Sequence, residues 1–328
     1  MKKLLITLSL LITTFTFISW GTFGHEHINR AAVLALPAPV QIFFYNHIDF
    51  VTLESTVPDL RKYTLHDKAE NPRHFMDMEN FGSLDSLPNA MKEAKEKYDE
   101  NFLNKNGILY WYIQDVMEKL TKAFKEKRKT EILFLAADLG HYVGDAHMPL
   151  HTSDNHDGQL TGQKGVHALW ESRLPEMFGA TYNYNVTEAK YINNVQKEAL
   201  RMIMDSHKLA DTLLAAEKKV RQKYTEDKIM EAAEDGKPKK NKFGAPIHSK
   251  KYAEDFHKSL NGMVEKQLQN AITATSNLWF TAWVNAGKPD LSDLDPKELT
   301  ERNAKQLKEE LELWKKGKLF GIVSEKEF

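Results

Sequence analysis

Cysteine is absent from all 328 residues of the chain. A chain without thiols forms no disulfide, supplies no thiolate ligand and carries no lipid-modified cysteine anchor. Any metal that it binds must therefore be held by nitrogen and oxygen. The sequence also lacks an excess of either charge, since 45 Lys and Arg residues face 46 Asp and Glu residues. This balance excludes a strong global attraction to nucleic acid or to anionic membranes.

Long hydrophobic runs are missing after the first residues of the chain. Lys2 and Lys3 precede an apolar run from Leu4 to Ile18 that contains no acidic residue. This pattern is typical of a secretory signal peptide, and the run is too short and wrongly flanked for a membrane span. We therefore expect residues 1–19 to be removed, although Phe17 is larger than the residue usual at position −3 from the cleavage site. The mature protein is then exported, periplasmic or secreted, with no transmembrane span.

Strand patterns are scarce as well, because no stretch alternates with a period of two for long and no internal repeat is present. Helical spacing dominates instead, as in the apolar stripe of residues 108–127. The sequence predicts an all-α fold, with a single multi-helix bundle domain over residues 20–290 and a C-terminal surface helix and tail over residues 291–328. Helices are predicted over 27–36, 40–45, 89–100, 108–127, 130–148, 166–178, 187–230 (one long helix or two), 252–285 and 293–316, with a flexible basic excursion over 234–251.

The stretch from His141 to His151 concentrates the polar groups of the predicted central helix. His141 and Asp145 are four residues apart, so they lie on one face of that helix. Pro149 ends the helix and turns the chain, which frees His151 to point back. A buried imidazole beside a buried carboxylate is costly unless a third group compensates it. A divalent metal does so, because it binds neutral imidazole and ionised carboxylate together.

Other donors of the same kinds occur before and after this stretch. His167 and Glu171 repeat the four-residue spacing on a later helix. If Trp20 is the mature N-terminus, its free amine has a pKa near about 8 and can bind a metal together with its own carbonyl. The candidate ligands, all suited to zinc, are Trp20, His25, Asp59, His74, His141, Asp145, His151, His167 and Glu171.

These residues occur in an order that matches a known pattern. The pattern consists of Trp20-Gly-x-x-Gly-His25, Asp59 with His74 fifteen residues later, His141-x3-Asp145-x5-His151 and His167-x3-Glu171. Over roughly residues 20–283 the chain resembles the superfamily of zinc-dependent phospholipases C and single-strand-specific zinc nucleases. The resemblance implies three zinc ions and a metal-bound hydroxide that attacks the phosphorus of a phosphate diester.

The resemblance also implies how the ligands divide among the three ions. One zinc is held by Asp59, His74 and His141, with Asp145 as a bridge. The second takes the Trp20 amine and carbonyl, His25 and the other oxygen of Asp145. The third is held by His151, His167 and Glu171. Asp59 is expected to orient the attacking water, while Arg61, Lys62 and His156 are candidates for contact with the substrate.

The substrate class stays open between two branches of the superfamily. Glu171 stands where the nucleases usually carry aspartate, and the loop before His167 has Gly158-Gln-Leu-Thr-Gly162 instead of their Gly-Gly-Asn run. Without Lys2 and Lys3 the mature chain has 43 basic and 46 acidic residues and is slightly acidic. These features together favour a phospholipase C that cleaves at the glycerol–phosphate bond. The start at Trp20 is nuclease-like, so a nuclease that releases 5′-nucleotides from single strands is the alternative. A catalytically silent zinc-binding protein is the third hypothesis, and no protein partner is inferred.

Overall fold

Helices and the loops that join them make up the part of the chain that the computed structural model describes, which is residues 21–233, 235–240 and 246–319. The predicted all-α fold is confirmed, since the described residues form isolated β-bridges but no strand. Trp20, the predicted signal peptide and residues 320–328 lie outside the described residues. The helices are α1 (Gly21–Leu34), α2 (Ala38–Asn46), α3 (Ile48–Glu54), α4 (Val57–Tyr63), α5 (Met91–Lys97), α6 (Glu100–Asn106), α7 (Leu109–Lys125), α8 (Lys129–Ala146), α9 (Val166–Ala168), α10 (Leu174–Phe178), α11 (Val195–Arg221), α12 (Glu226–Ile229), α13 (Lys250–Ser259), α14 (Met263–Asn285) and α15 (Lys297–Trp314).

Two hydrophobic clusters fill the interior. The larger cluster lies around α7 and α8 and includes Trp111 and Trp279, whose side chains are fully buried. The smaller cluster lies around α11 and α13 and includes Trp170 and Phe256. Helices α1 and α14 contribute side chains to both clusters, so they join the two parts of the core. The indole of Trp279 also donates a hydrogen bond of 2.9 Å to the carbonyl of Ala136, which ties α14 to α8.

Helices α1 and α8 cross at very close range because α8 carries glycine where they meet. A Cβ atom on Gly140 would lie 1.8 Å from Oδ1 of Asn29, and one on Gly144 would lie 3.1 Å from Nδ1 of His25. The Asn29 amide cannot swing away freely, since it donates to the carbonyls of Val51 and Ala137 at 2.9 and 3.1 Å. This crossing places the first turns of α1 against the last turns of α8.

Two of the predicted helices are wrong in extent. The predicted helix over 252–285 is two helices, because Asn261 and Gly262 have φ angles of +49° and +80° and break the chain between α13 and α14. The predicted helix over 187–230 begins only at Val195, where the Asn194 side chain accepts a hydrogen bond of 2.8 Å from the backbone N–H of Lys197. An N-cap of this kind satisfies one of the free N–H groups at a helix start.

Two further segments depart from their predictions in detail. The predicted helix over 89–100 ends at Lys97, and α6 then starts from Asp99, whose side chain caps the N–H of Phe102 at 2.7 Å. The predicted helix over 166–178 is not regular, because the π-helical turn Leu169–Arg173 stands between α9 and α10. Pro175 lies in the first turn of α10, where its missing N–H costs nothing.

The segment predicted as a flexible excursion is paired in its described part. Met230 bridges to His248, and the backbone N–H of Glu231 donates to the carbonyl of Ile247 at 2.8 Å. The C-terminal helix α15 lies against α2 and buries Leu307, Glu310 and Trp314. Within the described residues no helix is both long and apolar enough to cross a membrane.

Candidate metal centre

Helix α8 supplies the centre of the candidate site. His141 and Asp145 are fully buried one turn apart, as their spacing predicts. Nδ1 of His141 donates a hydrogen bond of 2.7 Å to the carbonyl of Ser55, which turns Nε2 inward. Oδ2 of Asp145 lies 3.3 Å from that Nε2. The other oxygen of Asp145 faces the opposite side of the site.

Helix α4 and the short 3-10 turn Asn71–His74 bring two further predicted ligands to this point. Nδ1 of His74 lies 3.0 Å from Oδ2 of Asp145, 3.0 Å from Nε2 of His141 and 3.6 Å from Oδ1 of Asp59. His74 is fully buried, whereas 12% of the Asp59 side chain is exposed. These four residues form one compact group in which only Asp59 reaches solvent.

Helix α1 adds His25 through its close crossing with α8. The His25 ring stacks on that of His141, with the ring centroids 3.9 Å apart. Nε2 of His25 lies 3.8 Å from Oδ1 of Asp145, the oxygen that faces away from His74. Asp145 therefore has one oxygen toward His74 and the other toward His25. Trp20, the residue before α1, lies outside the described residues, so its role as a ligand stays a prediction.

The third group is built on the far side of Asp145 from three short elements. His151 lies in the 3-10 turn Pro149–Thr152, His167 in α9 and Glu171 in the π-helical turn Leu169–Arg173. Nε2 of His167 lies 2.8 Å from Oε2 of Glu171 and 3.3 Å from Nε2 of His151. Nδ1 of His151 lies 3.2 Å from Oδ1 of Asp145, which joins this group to the other two.

Burial and opposite charges set the protonation of these residues. Burial opposes protonation of His141, but Asp145 and Asp59 outweigh it and raise the pKa of His141 to about 9. In the same way Glu171 outweighs burial and raises the pKa of His167 to about 9. Burial raises the pKa of Asp59 to about 7. The buried imidazoles and carboxyl groups of this cluster therefore share protons. Each charge that remains needs an opposite charge beside it.

The donor atoms fit a set of metal ions. Three groups bring their ligand atoms within 4.8 Å of one another, and they are His25, His141 and Asp145; Asp59, His74 and His141; and His151, His167 and Glu171. Oδ1 of Asp59 and Oε1 of Glu171 are buried without a hydrogen bond. Burial of such oxygens costs folding free energy unless a cation binds them. Imidazole nitrogen with carboxylate oxygen is the donor set that zinc takes in proteins.

The three residues predicted to contact substrate lie in different surroundings. The guanidinium of Arg61 is committed to Glu70 at 3.0 Å and to Asp138 at 2.7 Å, so Arg61 does not extend toward the ligand atoms. Lys62 lies near Asp59, and removal from water lowers its pKa on balance although the carboxylates raise it. His156 is exposed, and its carbonyl accepts a hydrogen bond of 2.8 Å from Nδ1 of His167.

The sequence interpretation missed two residues that hold ligands in place. Glu70 is fully buried with Oε1 3.5 Å from Nε2 of His74. Asp157 accepts backbone N–H groups of Gly165 at 2.9 Å and of His167 at 3.3 Å. A signal for Glu70 was present, since it precedes His74 by four residues. Asp157 lies in a polar loop, where nothing distinguished it from its neighbours.

The chain matches a known protein family along most of its length. A protein-family model described as S1/P1 Nuclease matches residues 20–273. No curated protein matches the chain. Among solved structures, the crystal structure of Clostridium perfringens alpha-toxin from avian strain SWCP is similar, with a TM-score of 0.43 and 14% sequence identity. The similarity covers 84% of this chain and 65% of the alpha-toxin chain, so this chain spans just under two thirds of that protein.

Proposed function

The chain belongs to the S1/P1 nuclease family, whose members hydrolyse phosphodiester bonds, and from that premise we propose that it is an exported zinc-dependent phosphodiesterase of the phospholipase C type. The observation that carries the proposal is the shared carboxylate of Asp145. Its two oxygens face different groups of buried donors, 3.0 Å from His74 on one side and 3.2 Å from His151 on the other. One residue thereby links adjacent groups of candidate ligands.

The chain's own residues provide the remaining parts of a phosphodiesterase site. Bound zinc ions would supply Lewis acidity that activates water and neutralises charge on the phosphate. Asp59 is the predicted ligand acid with partial exposure, so its carboxylate can orient a water and accept its proton. Lys62 lies on the same helix and is the cation placed to contact the phosphate of the substrate. Its Nζ lies 4.7 Å from the Tyr63 ring centroid, which holds it near the site.

Exposed leucines beside the ligands support a lipid substrate. Leu60 follows Asp59 directly and is 53% exposed. Leu65 is exposed as well, and its N–H donates to the carbonyl of Leu60 at 3.1 Å, which keeps the two residues together. Leu160 is exposed in the loop that leads to His167. Aliphatic side chains of this kind suit acyl chains and lipid interfaces, whereas single-strand binding uses aromatic platforms. Glu171 in place of the aspartate usual in the nucleases supports the same substrate class.

A nuclease specific for single strands is the second candidate function. The family match itself favours it, because the matching model is that of a nuclease family and begins at residue 20. The two functions share their metal ligands and differ in the surface that receives the rest of the substrate. A substrate assay therefore separates them better than a change in any ligand.

The test measures zinc content and three activities on the processed protein. We expect bound zinc, hydrolysis of bis(p-nitrophenyl) phosphate, and release of phosphocholine from phosphatidylcholine vesicles, all abolished by chelation and restored by zinc. Rapid cleavage of single-stranded DNA with untouched vesicles would overturn the phospholipase proposal in favour of the nuclease. Zinc without turnover of any of the three substrates would identify a silent zinc-binding protein.

A further inference from the structure

We propose that Glu70 is a positioning residue that fixes the ring of His74 and selects Nδ1 as its metal-binding atom. The inference rests on the proposed zinc site. Nδ1 of His74 faces the donors, 3.0 Å from both Asp145 and His141. A neutral imidazole has one N–H, so binding a metal through Nδ1 leaves the proton on Nε2. That nitrogen faces Oε1 of Glu70 at 3.5 Å.

The surroundings of Glu70 hold its carboxylate rigidly in this orientation. Oε2 accepts hydrogen bonds of 3.0 Å from Nε of Arg61 and 2.9 Å from Nη1 of Arg73. The Tyr142 hydroxyl donates to Oε1, the oxygen that faces His74. Arg61 is fixed in turn by Asp138 at 2.7 Å. Arg61 and Arg73 thus balance the charge of the buried Glu70 carboxylate through Oε2, while Oε1 faces the ring of His74.

A role of Glu70 in positioning His74 predicts a change in zinc affinity, which a purely structural role does not predict. A carboxylate on the far nitrogen of a ligand histidine fixes the tautomer and increases the basicity of the metal-binding nitrogen, and its loss typically weakens metal binding roughly 10–100-fold. A carboxylate that only stabilises the fold would lower the melting temperature without changing zinc affinity. The two roles therefore separate in a metal titration.

The experiment compares Glu70→Gln with Glu310→Gln in the full protein. Glu310 is a matched control, since it is also a buried carboxylate and is held by a tyrosine and an arginine, Tyr45 at 2.9 Å and Arg30 at 3.2 Å, away from the metal ligands. The measurements are zinc affinity by chelator competition and the melting temperature of the metal-free protein. We expect Glu70→Gln to weaken one zinc by about 10–100-fold and Glu310→Gln to leave all zinc affinities unchanged.

Other outcomes would overturn the inference in distinct ways. Equal zinc affinity in wild type and Glu70→Gln, or an equal loss in Glu70→Gln and Glu310→Gln, would show that Glu70 has no specific role toward His74. If Glu70→Gln fails to fold, Tyr142→Phe replaces it, because this variant removes the hydroxyl on Oε1 and keeps the ring; unchanged zinc affinity there counts against the inference. Wild-type protein that binds no zinc would defeat the proposed function itself.

Discussion

The two sides of the candidate site are held in different ways. The α8 side, which consists of His25, Asp59, His74, His141 and Asp145, is backed by charged side chains, with Glu70 between Arg61 and Arg73 behind His74. The loop side, which consists of His151, His167 and Glu171, is held mainly by hydrogen bonds from the backbone. There the carbonyl of His156 orients His167, and Asp157 accepts the N–H of His167.

This difference indicates that the two sides can be weakened separately. The α8 side depends on contacts between residues 61–74 and α8, such as those of Arg61 with Asp138 and of Glu70 with Tyr142, while the loop side depends on a loop that folds upon itself between residues 152 and 165. Asp145 of the α8 side links the two sides, since its Oδ1 approaches His151 at 3.2 Å. Substitutions on either side should therefore leave distinct patterns of zinc loss.

The largest expected effect is that of Asp145→Asn against Glu171→Gln. Asp145 faces two ligand groups through different oxygens, so Asp145→Asn should remove two zincs and lower kcat/KM by more than about 100-fold, beyond the loss typical of residues one step from a metal. Glu171→Gln should weaken only the zinc at His151 and His167. Metal analysis and turnover of bis(p-nitrophenyl) phosphate measure both. Equal zinc loss in the two variants would contradict the division of the site into two sides.

The next largest effect is expected when the exposed leucines on the two sides of the site are replaced. Replacing Leu60 and Leu65 together by Asp should lower hydrolysis of phosphatidylcholine vesicles by about tenfold or more, because each leucine loses roughly 1.5–3 kcal/mol of possible apolar burial. Leu160→Asp tests the loop side in the same way. Hydrolysis of bis(p-nitrophenyl) phosphate should stay unchanged in all variants. Leu313→Asp, at an exposed leucine of α15, is the control. An equal loss of vesicle hydrolysis in this variant would contradict the assignment of the other leucines to the lipid-binding surface.

A smaller effect is expected from Asp157 on the loop side. Asp157→Ala removes the acceptor of the Gly165 and His167 N–H groups, which should cost about 1 kcal/mol of unfolding free energy, as for a lost helix cap. It should also weaken the loop-side zinc by about tenfold and spare the others. Asp157→Asn keeps one acceptor oxygen and should recover most of both losses. Chelator competition and urea unfolding test this, and a loss of α8-side zinc would refute it.

The last effect concerns acid stability on the loop side, where His248 packs against Gly165. Burial lowers the pKa of His248 to about 3, with Arg221 and Arg173 adding to the shift. The unfolded chain binds this proton below about pH 6.5, so His248 should reduce stability by about 1.4 kcal/mol per pH unit as the pH falls from 6.5 toward 3. Urea unfolding at pH 7 and pH 5 should show a smaller difference for His248→Gln than for wild type. The exposed His66, replaced by Gln, should leave the difference unchanged.

The sequence predicted which donor residues lie together better than it predicted the residues that hold them in place. His141 and Asp145, and likewise His167 and Glu171, lie four apart, and this local spacing is enough to place both members of a pair together. Glu70 depends on Tyr142 and Arg61, which reach it from other parts of the fold, and no local pattern reports such contacts. Arg61 was predicted beside the substrate for its nearness to Asp59 in the chain, but the structure turns it toward Asp138.

Helix existence was likewise easier to predict than helix extent. The apolar periodicity of α7 and α8 survives almost unchanged in the structure, with ends within two residues of the predicted ones. The break between α13 and α14 was missed because apolar spacing continues across it, although the Asn261-Gly262 pair is a turn signal. The late start of α11 was missed because the polar residues before Asn194 resemble a helix surface in composition alone.

The crossing of α1 and α8 at Gly140 and Gly144 also orders events during folding. The contact between Asn29 and Ala137 joins residues 108 positions apart, whereas His151 and His167 are separated by 16. Long-range closure is slow compared with local closure, so the His25 side of the pocket can form only after the two helices dock. During refolding in the presence of zinc, the His151 group should therefore capture its ion first, and the ion shared with α1 should arrive last.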